Sequence, residues 1–139
     1  MENRAQLIME SRPQNAGLAR LFVAAFIAPL DPSVETLTDV KTAVSEAVTN
    51  AVIHGYDSQP EGSIVLSLAL EDGRLHIVVQ DHGAGIPDVS QALMPLFTTR
   101  PEMERAGMGF TVMESFMDSV TVASTPGEGT TVEMVKQLG

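Results

Sequence analysis

The chain has 139 residues, a formal net charge of −10, 44% hydrophobic but only 4% aromatic residues, and no cysteine. That length suits one domain, 1–139, with a single core, which must be aliphatic and methionine-filled given eight Met, five Phe, one Tyr and no Trp. Disulfides, thiolate catalysis and Cys-type zinc sites are excluded, and the acidity argues against nucleic acid or an anionic membrane as partner and suits a basic protein better.

In chain order, Gln6 to Met9 is expected to form a short edge strand. Ser11 and Pro13 then open a helix with apolar positions Leu18, Leu21, Phe22, Ala25 and Phe26. Arg20 is left facing outward, a candidate partner contact on a chain with few cations. Pro29 ends that helix. Asp31-Pro32 starts the next, with Asp as cap and Pro at the first helical position, and Gly55 stops it. Asp57 to Gly62 reads as a polar loop. Ser63 to Leu70 alternates Ile64, Leu66, Leu68 and Leu70 on one side. Asp72-Gly73 is a hairpin signal, and Leu75, Ile77 and Val79 continue the alternation. A weak helical segment runs from Val89 to Leu96, and Phe97 to Ala106 has no clear period. Phe110, Val112, Met113, Phe116 and Met117 are spaced for a helix. Val120 to Ser124 and Thr130 to Val135 read as strands around a Gly-rich turn. Helices, two strands, a helix and two strands make an α/β fold, a two-layer sandwich with a mainly antiparallel sheet.

The second helix carries the most unusual pattern. At about 100° per residue, Glu46, Asn50 and His54 fall within roughly 80° of one another, while Leu37, Val40, Val44, Val48 and Ala51 gather at roughly 120° to 200°. The polar face lacks the Lys–Glu pairs of an ordinary solvated helix, and Glu46 has no cation three or four residues on. Three glycine clusters follow. Asp81-x-Gly83-x-Gly85 ends a strand, where glycine admits a ligand close to the backbone and the carboxylate can accept from an amino group. Gly107-Met108-Gly109 is expected to open a helix, whose free amides would form an anion site. Gly127-Glu128-Gly129-Thr130-Thr131 lies in a hairpin. No P-loop and no kinase His-Arg-Asp or Asp-Phe-Gly is present, so phosphate chemistry would need another nucleotide fold. The three His (54, 76, 82) have no metal-ligand spacing. No signal peptide or spanning apolar run is seen, so a cytoplasmic location is expected.

Glu46-x-x-x-Asn50, Asp81-x-Gly83-x-Gly85, Gly107-x-Gly109 and Gly129-Thr130 resemble the four nucleotide-binding boxes of the GHKL ATPase/kinase superfamily, whose fold is the Bergerat α/β sandwich. Within it, Val44 to Tyr56 and Pro95 to Arg105 resemble the anti-sigma F factor family, serine kinases that inhibit a sporulation sigma factor. The resemblance implies a role for each matching position. Asn50 would hold Mg²⁺ beside ATP, and Glu46 would be general base toward a serine hydroxyl. Asp81, supported by Thr130, would bind the adenine amino group, and Gly83 and Gly85 would let adenine lie close. Thr98, Thr99 and the residues to Ala106 would form a lid. Gly107, Met108 and Gly109 would offer amides to phosphates, and Arg105 would reach the γ-phosphate. His54 is left between phosphate contact and helix end. His82 and Ala106 depart from the commoner residues of that pattern without removing a named role. Implied partners are a sigma factor, an anti-anti-sigma protein phosphorylated on serine, and a second copy of the chain in a homodimer. A detached histidine-kinase domain is disfavoured, since only about forty residues precede the Asn50 helix and none is His. A non-catalytic nucleotide-dependent binding module and an anti-sigma B-type kinase are the alternatives.

Overall fold

The computed structural model describes residues 2–55, 62–83, 101–125 and 127–138, with the side chains of His54, Gly55 and residues 101–108 outside that description. Two strands, β2 (Ser63–Glu71) and β3 (Arg74–Asp81), form the hairpin expected from Asp72-Gly73. Both turn residues have positive φ, 53° and 75°, as a tight two-residue hairpin turn requires. β1 (Asn3–Glu10), longer than the expected 6–9, pairs along one side of β2. β5 (Gly129–Gln137) pairs with β3, and β4 (Ser119–Thr125) pairs with β5, so the sheet order is β1-β2-β3-β5-β4 with every neighbour antiparallel.

One face of this sheet is buried. Ile64, Leu66, Leu68 and Leu70 of β2, Leu75, Ile77 and Val79 of β3, and Val132 and Met134 of β5 are each 4% exposed or less. A one-residue slip would turn such a row outward at a cost of about 1.5–3 kcal/mol per side chain, so the register is firmly set. That register matters for function, because the next inward positions on β3 and β5 are Asp81 and Thr130.

Three helices take part in the covering layer: α1 (Asn15–Ile27), α2 (Val34–Asn50) and α3 (Pro101–Phe116). The expected apolar stripe of α2 is confirmed, with Val40, Val44 and Val48 fully buried. Phe110 and Met113 of α3, and Met117 just past its end, are buried as the spacing predicts. For α1 the expected face is corrected in part: Phe26 is buried and Phe22 is half-buried against the core, as the spacing predicts. Leu18 and Leu21 are 45% and 70% exposed and Ala25 is exposed, while Ala16, Ala19, Val23, Phe26 and Ile27 are buried. The helix packs chiefly on α2, and the small Ala16 and Ala19 on its inner face allow a close approach that leucines would block.

The start of α2 is also corrected. Asp31 adopts the left-handed conformation that ends a short 3₁₀ turn (Ala28–Leu30) and does not cap. The cap is Ser33, whose Oγ accepts from the Thr36 amide at 3.1 Å. At its far end the α-helix stops at Asn50 and continues as a π-helical turn, Ala51–Gly55, instead of running regularly to Gly55. The expected segments at 57–61 and 89–96 lie outside the described residues.

Candidate functional site

The first half of the site is a sheet-borne cluster. Asp81 closes β3 and is 5% exposed; Thr130, its register partner on β5, is 8% exposed. Asp81 Oδ1 accepts from the Gly83 amide at 2.9 Å, a local Asx turn that swings the chain out of the strand. Burial raises the Asp81 carboxyl above its ordinary 3.8; hydrogen bonds from the backbone of Gly83 and Thr130, and the charge of His82, pull the other way without cancelling it. A buried carboxylate held this way can accept from one more donor, as an adenine-type amino group would offer.

Two neighbours fix this cluster. Ser124 of β4 lies opposite Thr130, and the two hydroxyls share a hydrogen bond of 2.8 Å, while Ser124 Oγ also donates to the Gly129 carbonyl at 3.1 Å. Gly129 has φ 123°, and a Cβ there would collide with the Asp81 carbonyl oxygen and come within 2.7 Å of the His82 Cα. Only glycine lets β5 pass so close to the end of β3. Ser124 was not singled out from the sequence. Its signal was the inward alternation Val120, Val122, Ser124, masked because serine there reads as the approach to a turn.

The second half is built from helices. Asn50, the last α-helical residue of α2, is 7% exposed, and among the described residues its Nδ2 has no hydrogen-bond partner. An orphaned buried amide costs about 1–3 kcal/mol. The cause of its burial is α3. A Cβ on Gly109 would lie 2.7 Å from Asn50 Nδ2 and 3.1 Å from Oδ1, so the glycine is where the two helices touch. Glu46, one turn earlier, is half-buried and lines a cleft with Arg20.

Gly107 and Gly109 do not open a helix. α3 begins at Pro101, so both lie well inside it. Pro is suited to the first helical position, and Glu-Met-Glu-Arg-Ala after it are good helix formers. The first turns of α3 therefore occupy part of the expected lid. Met108 and Arg105 belong to this helix, and His54 to the π-helical turn, with all three side chains outside the described residues. Gly85, Thr98 and Thr99 lie wholly outside. The π-helical turn packs against β3, β5 and α3, and so joins the two halves. Such turns cluster at functional sites.

Residues 9–136 match the family model described as "Histidine kinase-like ATPase domain". The chain is 53% identical to the anti-sigma F factor of Geobacillus kaustophilus over 99% of this chain and 94% of that one. It is 54% identical to that of Geobacillus stearothermophilus, covering 98% and 93%, and 50% identical to that of Bacillus licheniformis, covering 99% and 94%. Among solved structures, the RsbU and RsbW domains of a Mycobacterium tuberculosis protein superpose with TM-score 0.72 at 22% identity, over 98% of this chain and 32% of that one. The catalytic domain of the histidine kinase ThkA superposes with TM-score 0.60 at 12% identity, covering 98% and 96%. The Bergerat-type sandwich expected from the sequence is thus the fold, and the chain belongs to the anti-sigma F factor family, with a kinase-like, nucleotide-binding ATPase domain.

Proposed function

We propose that the protein binds Mg-ATP between its two clusters, transfers the γ-phosphoryl group to a serine of an anti-anti-sigma protein, and in its nucleotide-bound state holds and inhibits a sporulation sigma factor of the F type. The observation that carries this reading is the buried, unpartnered amide of Asn50, one helical turn from the half-buried Glu46. A buried polar group without an internal partner calls for a ligand.

The residues present fit Mg²⁺. Its usual habit is one or two protein oxygens, with phosphates and waters completing the shell. Asn50 supplies one amide oxygen once its side-chain amide is turned end for end. Among the described residues no group of three His, Cys, Asp or Glu would hold a metal unaided. When bound, the ion neutralises phosphate charge and positions the transferring group.

In this reading Asp81 accepts from the adenine amino group, and Thr130, oriented by Ser124, lines that pocket. The Glu46 carboxylate takes the serine proton as the hydroxyl oxygen attacks the γ-phosphorus; the bond to the β–γ bridging oxygen breaks and ADP leaves. For Gly107, Met108 and Gly109 to present amides to phosphate, the first turns of α3 unwind, which two glycines make easy at about 1 kcal/mol each below alanine in helix preference. Thr98, Thr99 and Arg105 act in the closed lid, Gly85 beside adenine, and His54 near the phosphates. Arg20, exposed on α1, contacts the protein partner. The protein works in the cytoplasm as a homodimer and as a single domain. The relatives' name favours sigma F over sigma B as the regulated class.

The test is incubation with Mg²⁺, γ-labelled ATP and the anti-anti-sigma protein. Label is expected on serine, and Glu46→Gln should lower the rate by about 10²–10⁴ while retaining ATP and sigma-factor binding. Unchanged phosphorylation in Glu46→Gln would remove Glu46 from the role of base. ATP binding without any label would leave a nucleotide-switched binding module.

A further inference from the structure

Two of the few cations of this acidic chain line one cleft. Between α1 and α2 lies a hollow of about 250 Å³, bounded by Arg20, Thr38, Lys41, Thr42, Ser45 and Glu46. It is large enough to admit a side chain and part of a backbone. Its α2 wall follows the spacing 38, 41, 42, 45, 46, one continuous helix face. Among the described residues neither Arg20 nor Lys41 forms an ion pair, whereas Arg12 pairs with Glu10 and Lys136 with Asp39. Neither has an acid three or four residues away on its own helix. The cleft is therefore a positively charged, hydroxyl-lined groove that ends at the carboxylate assigned as base.

We propose that this groove docks an acidic segment of the phosphorylated protein, and that Lys41 is the specificity residue that reads an Asp or Glu close to the target serine. The proposal rests on the kinase reading above and adds its substrate selection. Geometry sets the spacing. Five residues from Lys41 to Glu46 are about 7.5 Å of helix rise at 1.5 Å per residue. An extended segment covers that distance in about two residues at roughly 3.3 Å each. A serine hydroxyl at Glu46 thus places a carboxylate within about two residues at Lys41, while Thr38, Thr42 and Ser45 offer hydroxyls to the intervening backbone. A protein segment fits better than a free anion because the groove pairs its two cations with three hydroxyl side chains along one helix face, over a length that a small ion would not span.

The experiment measures binding of the anti-anti-sigma protein from the same genome, in parallel with its phosphorylation, for wild type, Lys41→Gln and Lys41→Glu. ATP binding checks that each variant folds. Roughly fivefold weaker partner binding is expected for Lys41→Gln and more than about twentyfold for Lys41→Glu, with the effect in KM and little change in kcat. Replacing the acidic residue nearest the serine by Lys should restore binding to Lys41→Glu. Partner affinity within twofold of wild type in Lys41→Glu would overturn the proposal, whether or not phosphate is transferred. So would a groove that binds inorganic phosphate through Lys41 while partner affinity ignores it. If wild type binds the partner through Lys41 yet transfers no phosphate, the docking groove stands and the kinase reading falls. If wild type neither binds nor phosphorylates that protein, both fall.

Discussion

At Asp81 the site is set by a sheet register, whereas at Asn50 it is set by one helix lying against another. The Asp81 cluster is held by paired strands on both sides, by Ser124 on a third strand, and by a backbone approach at Gly129 that admits no side chain. The Asn50 cluster depends on a glycine contact in α3, on a π-helical turn, and on an amide with no partner among the described residues. In the function proposed above, the difference suits the two ends of a nucleotide. A base needs a rigid shaped pocket, while phosphates that change in number need groups free to exchange partners.

Breaking the rigid half should cost the most. Gly129→Ala forces a Cβ into the Asp81 carbonyl and a side chain into positive φ, so a loss of about 3 kcal/mol or more is expected by chemical denaturation. Near-wild-type stability would show that β5 can shift away without harm. Asp81→Asn should separate binding from folding. It exchanges the carboxylate proposed to accept from the adenine amino group for an amide, with a predicted fall of about a hundredfold in ATP affinity by calorimetry. The ligand-free protein should nevertheless be more stable than wild type at neutral pH. The folded carboxyl is raised by burial, so its contribution is present below 3.8 and is lost as pH rises through the higher folded value. The advantage of Asp81→Asn should therefore vanish below pH 3.8.

The helical half should respond in ligand binding more than in folding. Gly109→Ala pushes the Asn50 amide, the end of a side chain, so the helices can adjust. About tenfold weaker Mg-ATP binding is expected, with thermal stability nearly unchanged. Equal losses in both measurements would mean that Gly109 serves packing alone. The smallest effect is expected at Ser124→Ala, which removes one neutral hydrogen bond to Thr130 and costs about 1 kcal/mol in stability.

The same contrast explains what could be read from the chain. Strict alternation in β2 and β3 and the valine stripe of α2 specify burial directly, and Asp81 and Thr130 follow as the next inward positions. The face of α1 could not be read that way. Its leucines are the stronger apolar signal, but a tight helix–helix contact selects Ala16 and Ala19. Nor could Gly107 and Gly109 be placed inside a helix, because glycine pairs read as breaks while the preceding Glu-Met-Glu-Arg-Ala carries the helix through. Ser33 displaced Asp31 as the cap of α2 because its hydroxyl reaches the Thr36 amide. The cleft around Lys41 needs α1 and α2 side by side, a tertiary fact that neither helix states alone.

The most direct measurement is a Mg²⁺ titration of ATP binding to wild type and Asn50→Ala, with adenosine binding measured beside it. If the two halves divide the nucleotide as described, Mg²⁺ strengthens ATP binding to wild type at least tenfold, Asn50→Ala loses that dependence, and adenosine binds both equally. An Asn50→Ala protein whose ATP binding keeps its full Mg²⁺ dependence would contradict the account.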